Sequence, residues 1–115
     1  MVVHSASDEE TDRIFQALAD ATRRDILARA ILEEQSVSAL AGHYAMSFAA
    51  VQKHVAVLER AALISKHRRG RERIVQGNVS TLRTAAALMD AYEQLWIERA
   101  NLIADVLTGE EGVNQ

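Results

Sequence analysis

Apolar residues recur at helical spacing along most of the chain, and capping residues mark the start of each run. Ser7, with Glu10 three residues later, forms a capping box ahead of the first apolar face, and Asp20 is the next candidate cap. The helix that follows Asp20 is predicted to end near Leu32, before a polar connection over residues 33–35. Its expected buried stripe consists of Ile26, Leu27, Ala30 and Ile31.

Two more helices follow, separated by only a short connection. Ser36 is the expected cap of a helix over residues 37–44, and Ser47 is the expected cap of a helix from Phe48 to about Ala61. In the second of these helices the residues expected to face inward are Val51, Val55 and Leu58, and those expected to face outward are Phe48, Ala49, Gln52, Lys53 and Ala56. Two helices joined this closely, with an apolar stripe behind and small or polar groups in front, are typical of a helix-turn-helix.

The remainder of the chain predicts a hairpin and one long helix. Two short extended runs at residues 63–67 and 73–76 flank a turn that contains Gly70, which indicates a two-stranded hairpin with basic residues at its tip. Asn78 is the expected cap of a last helix that reaches about Leu107.

The last helix is apolar around a wide arc. Its apolar positions form three rows: Leu82, Met89, Trp96 and Ile103; Leu88, Leu95 and Leu102; and Ala85, Tyr92 and Val106. A helix with so wide an apolar arc is usually buried on two sides, and a second copy of the chain is the simplest source of the second side. The alternative is that this helix only covers the core of its own domain.

Composition bounds the class of protein. The chain has 115 residues, of which 49% are hydrophobic and 25% charged, as is usual in soluble globular proteins. We expect one mainly α domain with a small β-hairpin over residues 1–115, ordered from about residue 7 to 107, with residues 108–115 as a frayed tail. The absence of Cys excludes disulfides, thiolate metal sites and Cys nucleophiles. No apolar run approaches the ~20 residues that span a bilayer, and no secretory leader pattern is present, so we expect a cytoplasmic protein without membrane association.

The distribution of charge changes this picture. A net charge of −3 argues against a nucleic-acid partner, but the charges are unevenly placed. Residues 53–73 carry seven Lys or Arg and two Glu, whereas the rest of the chain carries six basic and fourteen acidic residues. Such asymmetry is typical of a polyanion-binding segment on an acidic body, and a solvated basic loop is the alternative.

Two sequence motifs and a turn resemble one known family. Residues 15–27, FQALADATRRDIL, are similar to the opening signature of ArsR-type winged-helix transcriptional repressors, and residues 46–59, MSFAAVQKHVAVLE, are similar to their recognition helix. Residues 70–73, GRER, resemble the turn of the wing, and the resemblance covers about residues 11–107. It implies a winged helix-turn-helix of about five helices plus a two-stranded wing, and a homodimer joined through the first and last helices. It also implies operator binding in the major groove and release when a ligand binds.

The resemblance and the charge pattern together indicate a DNA-binding surface. Gln52 is suited to pair with adenine and Lys53 with guanine in the major groove. Arg side chains at the wing tip are attracted to a narrow minor groove, and Phe48 either touches a thymine methyl group or folds back on the domain. The expected DNA-binding residues are Ser47, Phe48, Ala49, Gln52, Lys53, His54, Lys66, Arg68, Arg69, Arg71 and Arg73. The expected dimer-interface residues are Ile14, Phe15, Leu18, Met89, Tyr92, Trp96 and Ile103.

Two departures from the family pattern bear on structure and mechanism. Ala62 stands where the recognition helix of the family ends in Gly, so we expect this helix end to be shaped differently. The alternative is a left-handed backbone at Ala62, which costs about 1 kcal/mol. Tyr92 stands where metal-sensing members have a His ligand, and the chain has no Cys for the other family metal site, so we expect no metal and no cofactor. A site borrowed from His4 of one subunit and Asp90 or Glu93 of another is the alternative.

The sequence therefore predicts a dimeric, sequence-specific DNA-binding regulator of transcription. We expect a repressor that leaves a palindromic operator on an unknown non-metal signal, with a small molecule or a protein as the effector. Tyr92 and Trp96 form either part of the dimer core or the lining of an effector pocket. A winged-helix protein–protein interaction module without DNA binding is the alternative function. An enzyme is not expected, because the chain has no Gly-rich phosphate loop and no His/carboxylate cluster on one element.

Overall fold

The computed structural model describes residues 6–109, which form five helices and three short strands. In chain order these are α1 (Ala6–Leu18), α2 (Ala21–Leu32), β1 (Gln35–Ser36), α3 (Val37–Ala41), α4 (Phe48–Arg60), β2 (Ile64–Arg69), β3 (Glu72–Gly77) and α5 (Val79–Thr108). All the predicted helices and the hairpin are confirmed. However, α3 ends earlier than expected, and both hairpin strands extend closer to the turn.

Three of the five predicted helix caps are confirmed. The side chains of Asp20, Ser36 and Ser47 each accept a hydrogen bond from a backbone N–H three residues later, at 3.0 to 3.1 Å. Each satisfies a donor that the first turn of a helix leaves unpaired. The prediction of a cap at Ser7 is wrong: α1 already includes this residue, and its carbonyl accepts a hydrogen bond from Thr11 Oγ1 at 2.9 Å. Asn78 is not among the confirmed caps either: its Nδ2 donates to the Ala62 carbonyl at 3.0 Å, and its Oδ1 accepts from the Ser80 hydroxyl at 2.8 Å.

The wing belongs to a three-stranded antiparallel sheet with strand order β1-β3-β2. β2 pairs with β3 across a two-residue turn formed by Gly70 and Arg71, as the hairpin prediction requires. The sheet has one strand more than predicted, because β1 pairs with the middle of β3. A strand of two residues is too short to show an alternating pattern of polar and apolar residues. The sequence therefore predicts a polar connection where the structure has β1.

Residues 6–85 form the first of two compact units and enclose one core. Its largest fully buried side chains are Ile26, Leu40, Val51, Val55, Leu58, Leu63 and Val75. Ile14 lies in this core with 3% of its surface exposed, so it leaves almost no surface for the dimer contact expected of it. The prediction that Ile31 belongs to the buried stripe of α2 is wrong, since 42% of its surface is exposed, although Gly77 of β3 packs closely against it. A Cβ at Gly77 would lie 2.7 Å from Ile31 Cγ1 and 3.1 Å from its Cα, which only glycine avoids.

The end of α4 carries a left-handed residue that is not glycine. Ala62 has a φ of 60°, and its N–H donates to the Glu59 carbonyl at 2.9 Å. The N–H of Leu63 donates to the Leu58 carbonyl at 3.0 Å, and the two bonds together form a Schellman motif. The expectation of a different shape here is therefore wrong. The glycine-type geometry is kept because Leu63, the next residue, must enter the core at once.

Replacing Ala62 with glycine is expected to stabilise the protein by about 1 kcal/mol, because the Cβ penalty of the left-handed conformation disappears. Chemical denaturation gives the free energy of unfolding that checks this. Ala56→Gly, inside α4, is the matched control and is expected to destabilise by about 1 kcal/mol through the low helix propensity of glycine. An Ala62→Gly variant no more stable than wild type would contradict the strain argument.

The residues of α5 from Ala86 onward belong to the second compact unit. Within the part of this unit that the structure describes, large apolar side chains are exposed. They are Met89, Tyr92, Leu95, Trp96, Ile97, Leu102, Ile103, Val106 and Leu107. So many exposed apolar groups on one element indicate an interaction surface. Residues 110–115, most of the expected frayed tail, lie outside the described residues.

Candidate nucleic-acid interface

α4 presents polar side chains on one side because its apolar stripe is fixed in the core. Val51, Val55 and Leu58 are buried, as predicted. The expected DNA-binding residues that lie exposed on or just before α4 are Ser47, Phe48, Ala49, Gln52 and Lys53, while His54 is half-buried. Phe48 keeps 46% of its surface exposed, so it does not fold back into the core.

Strand alternation divides the basic residues of the wing between two faces. Lys66 and Arg68 are two residues apart in β2, and Arg68 is the register partner of Arg73 in β3, so these three share a face. Lys66 Nζ lies 3.3 Å from Glu59 Oε1 of α4, which identifies this face as the one directed toward α4. Arg69 lies on the opposite face.

The turn of the wing exposes one more cation. Gly70 adopts a φ of 64° at the first of the two turn positions, where tight hairpins favour glycine because other side chains are strained there. Arg71 occupies the second position and is exposed at the tip.

A cleft of about 400 Å³ lies between α4, the start of α3 and the wing. Its lining includes Phe48 and Gln52 from α4 together with Lys66, Arg71 and Arg73 from the wing. The structure thus brings together residues from both halves of the predicted surface. The other expected DNA-binding residues do not line the cleft: Ser47, Ala49, Lys53, His54, Arg68 and Arg69.

The charges on the wing suit an anionic partner. Arg68 and Arg73 face each other directly across β2 and β3, and like charges in that position destabilise a sheet. Neither residue, nor Arg71, has an ion-pair partner within residues 6–109. Because a bound polyanion offsets this repulsion, the arrangement favours binding at some cost in the stability of the free protein.

Arg69 forms an ion pair with Glu34. Its Nη2 lies 2.7 Å from Glu34 Oε1, and this hydrogen bond keeps the pKa of Glu34 below its usual value. The sequence alone predicts the same role at the wing tip for Arg68, Arg69 and Arg71. The structure separates Arg69 from the other two, because it anchors the wing to the segment that precedes β1.

A second network fixes the turn between α3 and α4. Tyr44 Oη donates to Asp25 Oδ2 at 2.6 Å, and Arg29 Nε donates to the same oxygen at 2.8 Å. These bonds, that of Tyr44 first, hold the pKa of Asp25 below its usual value. Burial, together with the bond to Asp25, raises the pKa of Tyr44 to about 12. The turn is thereby tied to α2, which restrains the start of α4.

The side chains of Arg23 and Arg24 donate hydrogen bonds to the last carbonyls of α1, a role that no local pattern in the sequence predicts. Arg23 donates from Nε to the Ala17 carbonyl and from Nη2 to the Gln16 carbonyl, both at 2.9 Å. Arg24 Nη1 donates to the next carbonyl of α1 at 2.7 Å. The last turn of a helix leaves such carbonyls without intrahelical donors. Arg23 Nη1 also lies 3.3 Å from Nδ1 of His54 in α4, a contact between residues far apart in the chain.

The second unit contains a shallow hollow of about 290 Å³ formed by Tyr92, Leu95, Trp96 and Arg99. The Arg99 guanidinium lies 5.3 Å from the centroid of the Trp96 ring, within the range of a cation–π interaction. Tyr92 and Trp96 keep 57% and 66% of their surfaces exposed, so a partner chain or a ligand has access to both.

Side chains of the types that bind metal ions are scattered over the described part of the chain. No group of three or more His, Asp or Glu side chains that could hold a metal ion occurs among residues 6–109. Asp90 and Glu93 are exposed on α5. His4, which the alternative metal site would require as a ligand, lies outside the described residues. Among residues 6–109, the helices lack the combination of length and hydropathy that a membrane span requires.

Three known proteins are similar to this chain along most of its length. The HTH-type transcriptional regulator Rv2034 of Mycobacterium tuberculosis is 33% identical over 99 residues, which cover 86% of this chain and 90% of the relative. The crystal structure of the ArsR family transcriptional regulator RHA00566 is 32% identical with a TM-score of 0.74, covering 84% of this chain and 96% of that one. The ArsR-like transcriptional regulator from Rhodococcus sp. RHA1 is 27% identical with a TM-score of 0.78, covering 89% and 96%. No protein-family model matches the chain.

Proposed function

The chain belongs to the ArsR family of transcriptional regulators, and on that premise we propose that it is a dimeric repressor that binds a specific DNA operator. Its relatives are transcriptional regulators, a class without enzymatic activity. The observation that carries the proposal is the cleft that joins Phe48 and Gln52 of α4 to the exposed cations Arg71 and Arg73 of the wing.

In this proposal α4 enters the major groove and the wing follows the DNA backbone. The base edges are contacted by Phe48, Ala49, Gln52 and Lys53, and the phosphates by Ser47, His54, Arg68, Arg71 and Arg73. Lys66 and Arg69 already hold ion pairs with acidic side chains of this chain, so their role is to position the wing. Sequence specificity comes from Gln52 above all, because its amide can bond to adenine through two atoms at once.

The dimer forms through α5 with support from α1. The apolar residues that α5 exposes between Met89 and Leu107 supply the larger part of the interface, with Trp96 as the largest side chain. Phe15 and Leu18 of α1 are half-buried in the protomer and, in this proposal, bury their remaining surface in the dimer. A two-fold dimer presents two copies of α4, which matches a palindromic operator.

The signal that releases the operator is a small molecule or a protein, and not a metal ion. The donor set of the chain supports this: it has no Cys, and Tyr92 replaces the His that a family metal site needs on the last helix.

Selection of bound duplexes from a random-sequence library tests the proposed function. Repeated rounds with the wild-type protein should enrich one sequence with two inverted half-sites, their centres about 10 base pairs or a multiple of this apart. Gln52→Ala is the matched variant and should enrich a motif that is degenerate at one base pair per half-site. A wild-type pool that stays random would overturn the proposal.

A further inference from the structure

Arg23 is held in place by groups on two elements. Its Nε and Nη2 donate to two carbonyls at the end of α1, and its Nη1 lies 4.0 Å from the carboxylate of Asp20, the cap of α2. The side chain is 18% exposed, so water competes little for these donors. The guanidinium is therefore a fixed donor, and Nη1 is directed at His54.

The contact at His54 constrains the imidazole ring. Arginine has only donors, so Nδ1 of His54, 3.3 Å from Arg23 Nη1, must accept. In a neutral ring with an accepting Nδ1, the proton resides on Nε2. Nε2 has no hydrogen-bond partner within residues 6–109, and His54 is half-buried beside the exposed Lys53. The ring thus offers an N–H at the edge of α4.

We propose that Arg23 is a positioning residue for DNA binding, which fixes the ring of His54 so that its Nε2–H donates to a phosphate of the DNA backbone. The inference rests on the proposed function. Phosphate contacts of this kind set the register of a recognition helix on the duplex. Arg23 itself does not touch DNA and acts through His54.

Arg23→Lys is the variant that separates this role from charge and folding. Lysine keeps the positive charge, but one ammonium nitrogen cannot occupy the three positions of Nε, Nη1 and Nη2. Arg24→Lys is the matched control, because Arg24 also serves a carbonyl of α1 but has no contact with His54. Both substitutions should lower the melting temperature, since both weaken the end of α1.

Nitrogen-15 NMR of the His54 ring in the free protein gives the first readout. Wild type and Arg24→Lys should show a single tautomer with the proton on Nε2, and Arg23→Lys should show a mixture.

Affinity for a duplex selected with the wild-type protein gives the second readout. His54→Ala should lose about tenfold per contact, the value of a hydrogen bond to a charged group, and so about a hundredfold for a dimer with two contacts. Arg23→Lys should also weaken binding, but by a smaller factor, because part of its ring population keeps the proton on Nε2. Arg24→Lys should bind like wild type.

The double variant decides whether Arg23 acts through His54. Arg23→Lys should cost no further DNA affinity in the His54→Ala background, although it should still lower the melting temperature. An equal loss in both backgrounds, or an unchanged His54 tautomer in Arg23→Lys, overturns the inference and leaves the proposed function standing. A wild-type protein that binds no duplex overturns the proposed function and this inference with it.

Discussion

Replacing Trp96 with glutamate is expected to convert a dimer into a monomer and to weaken operator binding at least about a hundredfold. Trp96 has 66% of its surface exposed in the single chain and lies among other exposed apolar residues of α5. In the proposed dimer this surface is covered, so a carboxylate there would lose its hydration without gaining a partner. The loss of affinity follows because a monomer holds one half-site only.

Sedimentation at micromolar protein concentration measures the first effect. The wild type should have twice the chain mass of 12.7 kDa, and Trp96→Glu should have the mass of one chain. Gln94→Glu is the matched control, because it adds the same charge to α5 at an exposed polar position and should remain dimeric. Circular dichroism should show both variants folded, since the core of the first unit does not contain either residue. A monomeric wild type, or a Trp96→Glu variant that stays dimeric, would contradict the proposed interface.

Removing one wing arginine and removing Gln52 are expected to weaken binding in different ways. Arg71→Ala removes one phosphate contact per protomer, so the slope of log affinity against log salt should become shallower by about 0.9 per contact, or about 1.8 per dimer. The loss should be the same on every sequence. Gln52→Ala does not change the charge, so its slope of log affinity against log salt should match that of wild type. Its discrimination between the correct and a wrong base should fall by about 1–3 kcal/mol at one base pair per half-site.

Salt titrations on selected and scrambled duplexes distinguish these outcomes. Arg69→Ala is the control for the wing, because the charge of Arg69 is already shared with Glu34 and it makes no phosphate contact in this account. Its slope should stay close to that of wild type. If Gln52→Ala and Arg71→Ala lose affinity equally on both duplexes, Gln52 does not read a base. If Arg71→Ala binds like wild type at every salt concentration, the wing is only a solvated loop.

The recognition helix was predictable because its signals are local. Ser47 caps its first turn, and the spacing of Val51 and Val55 assigns the buried face without any knowledge of the rest of the fold. Once that face is buried, the exposure of Gln52 and Lys53 follows from helix geometry. The family resemblance covers the same residues, so both lines of argument indicate the same outward surface.

The division of the wing could not be predicted because it depends on strand bounds and on a distant acid. With the first strand ending at residue 67, Arg68 and Arg69 fall in the turn and have no assigned face. The strand continues to Arg69, so alternation places these two residues on opposite faces. The partner of Arg69 is Glu34, and nothing in the local sequence pairs the two.

Tertiary packing also overrides local preference at Ala62 and at Arg23. Intrinsic preference disfavours a left-handed alanine, but the burial of Leu63 directly after α4 requires that conformation. The contact of Arg23 with His54 forms only when α2 packs against α4. Sequence periodicity contains no information on either feature, because both depend on where a distant element lies.

The affinity of the wild-type protein for its selected duplex, relative to a scrambled duplex of the same length and composition, tests the central claim most directly. Fluorescence anisotropy over a series of salt concentrations gives both affinities. A sequence-specific regulator should bind the selected duplex at least about a thousandfold more tightly, and both affinities should fall as salt rises. Equal affinity for the two duplexes at every salt concentration, or no binding to either, would contradict the assignment of this surface to operator recognition.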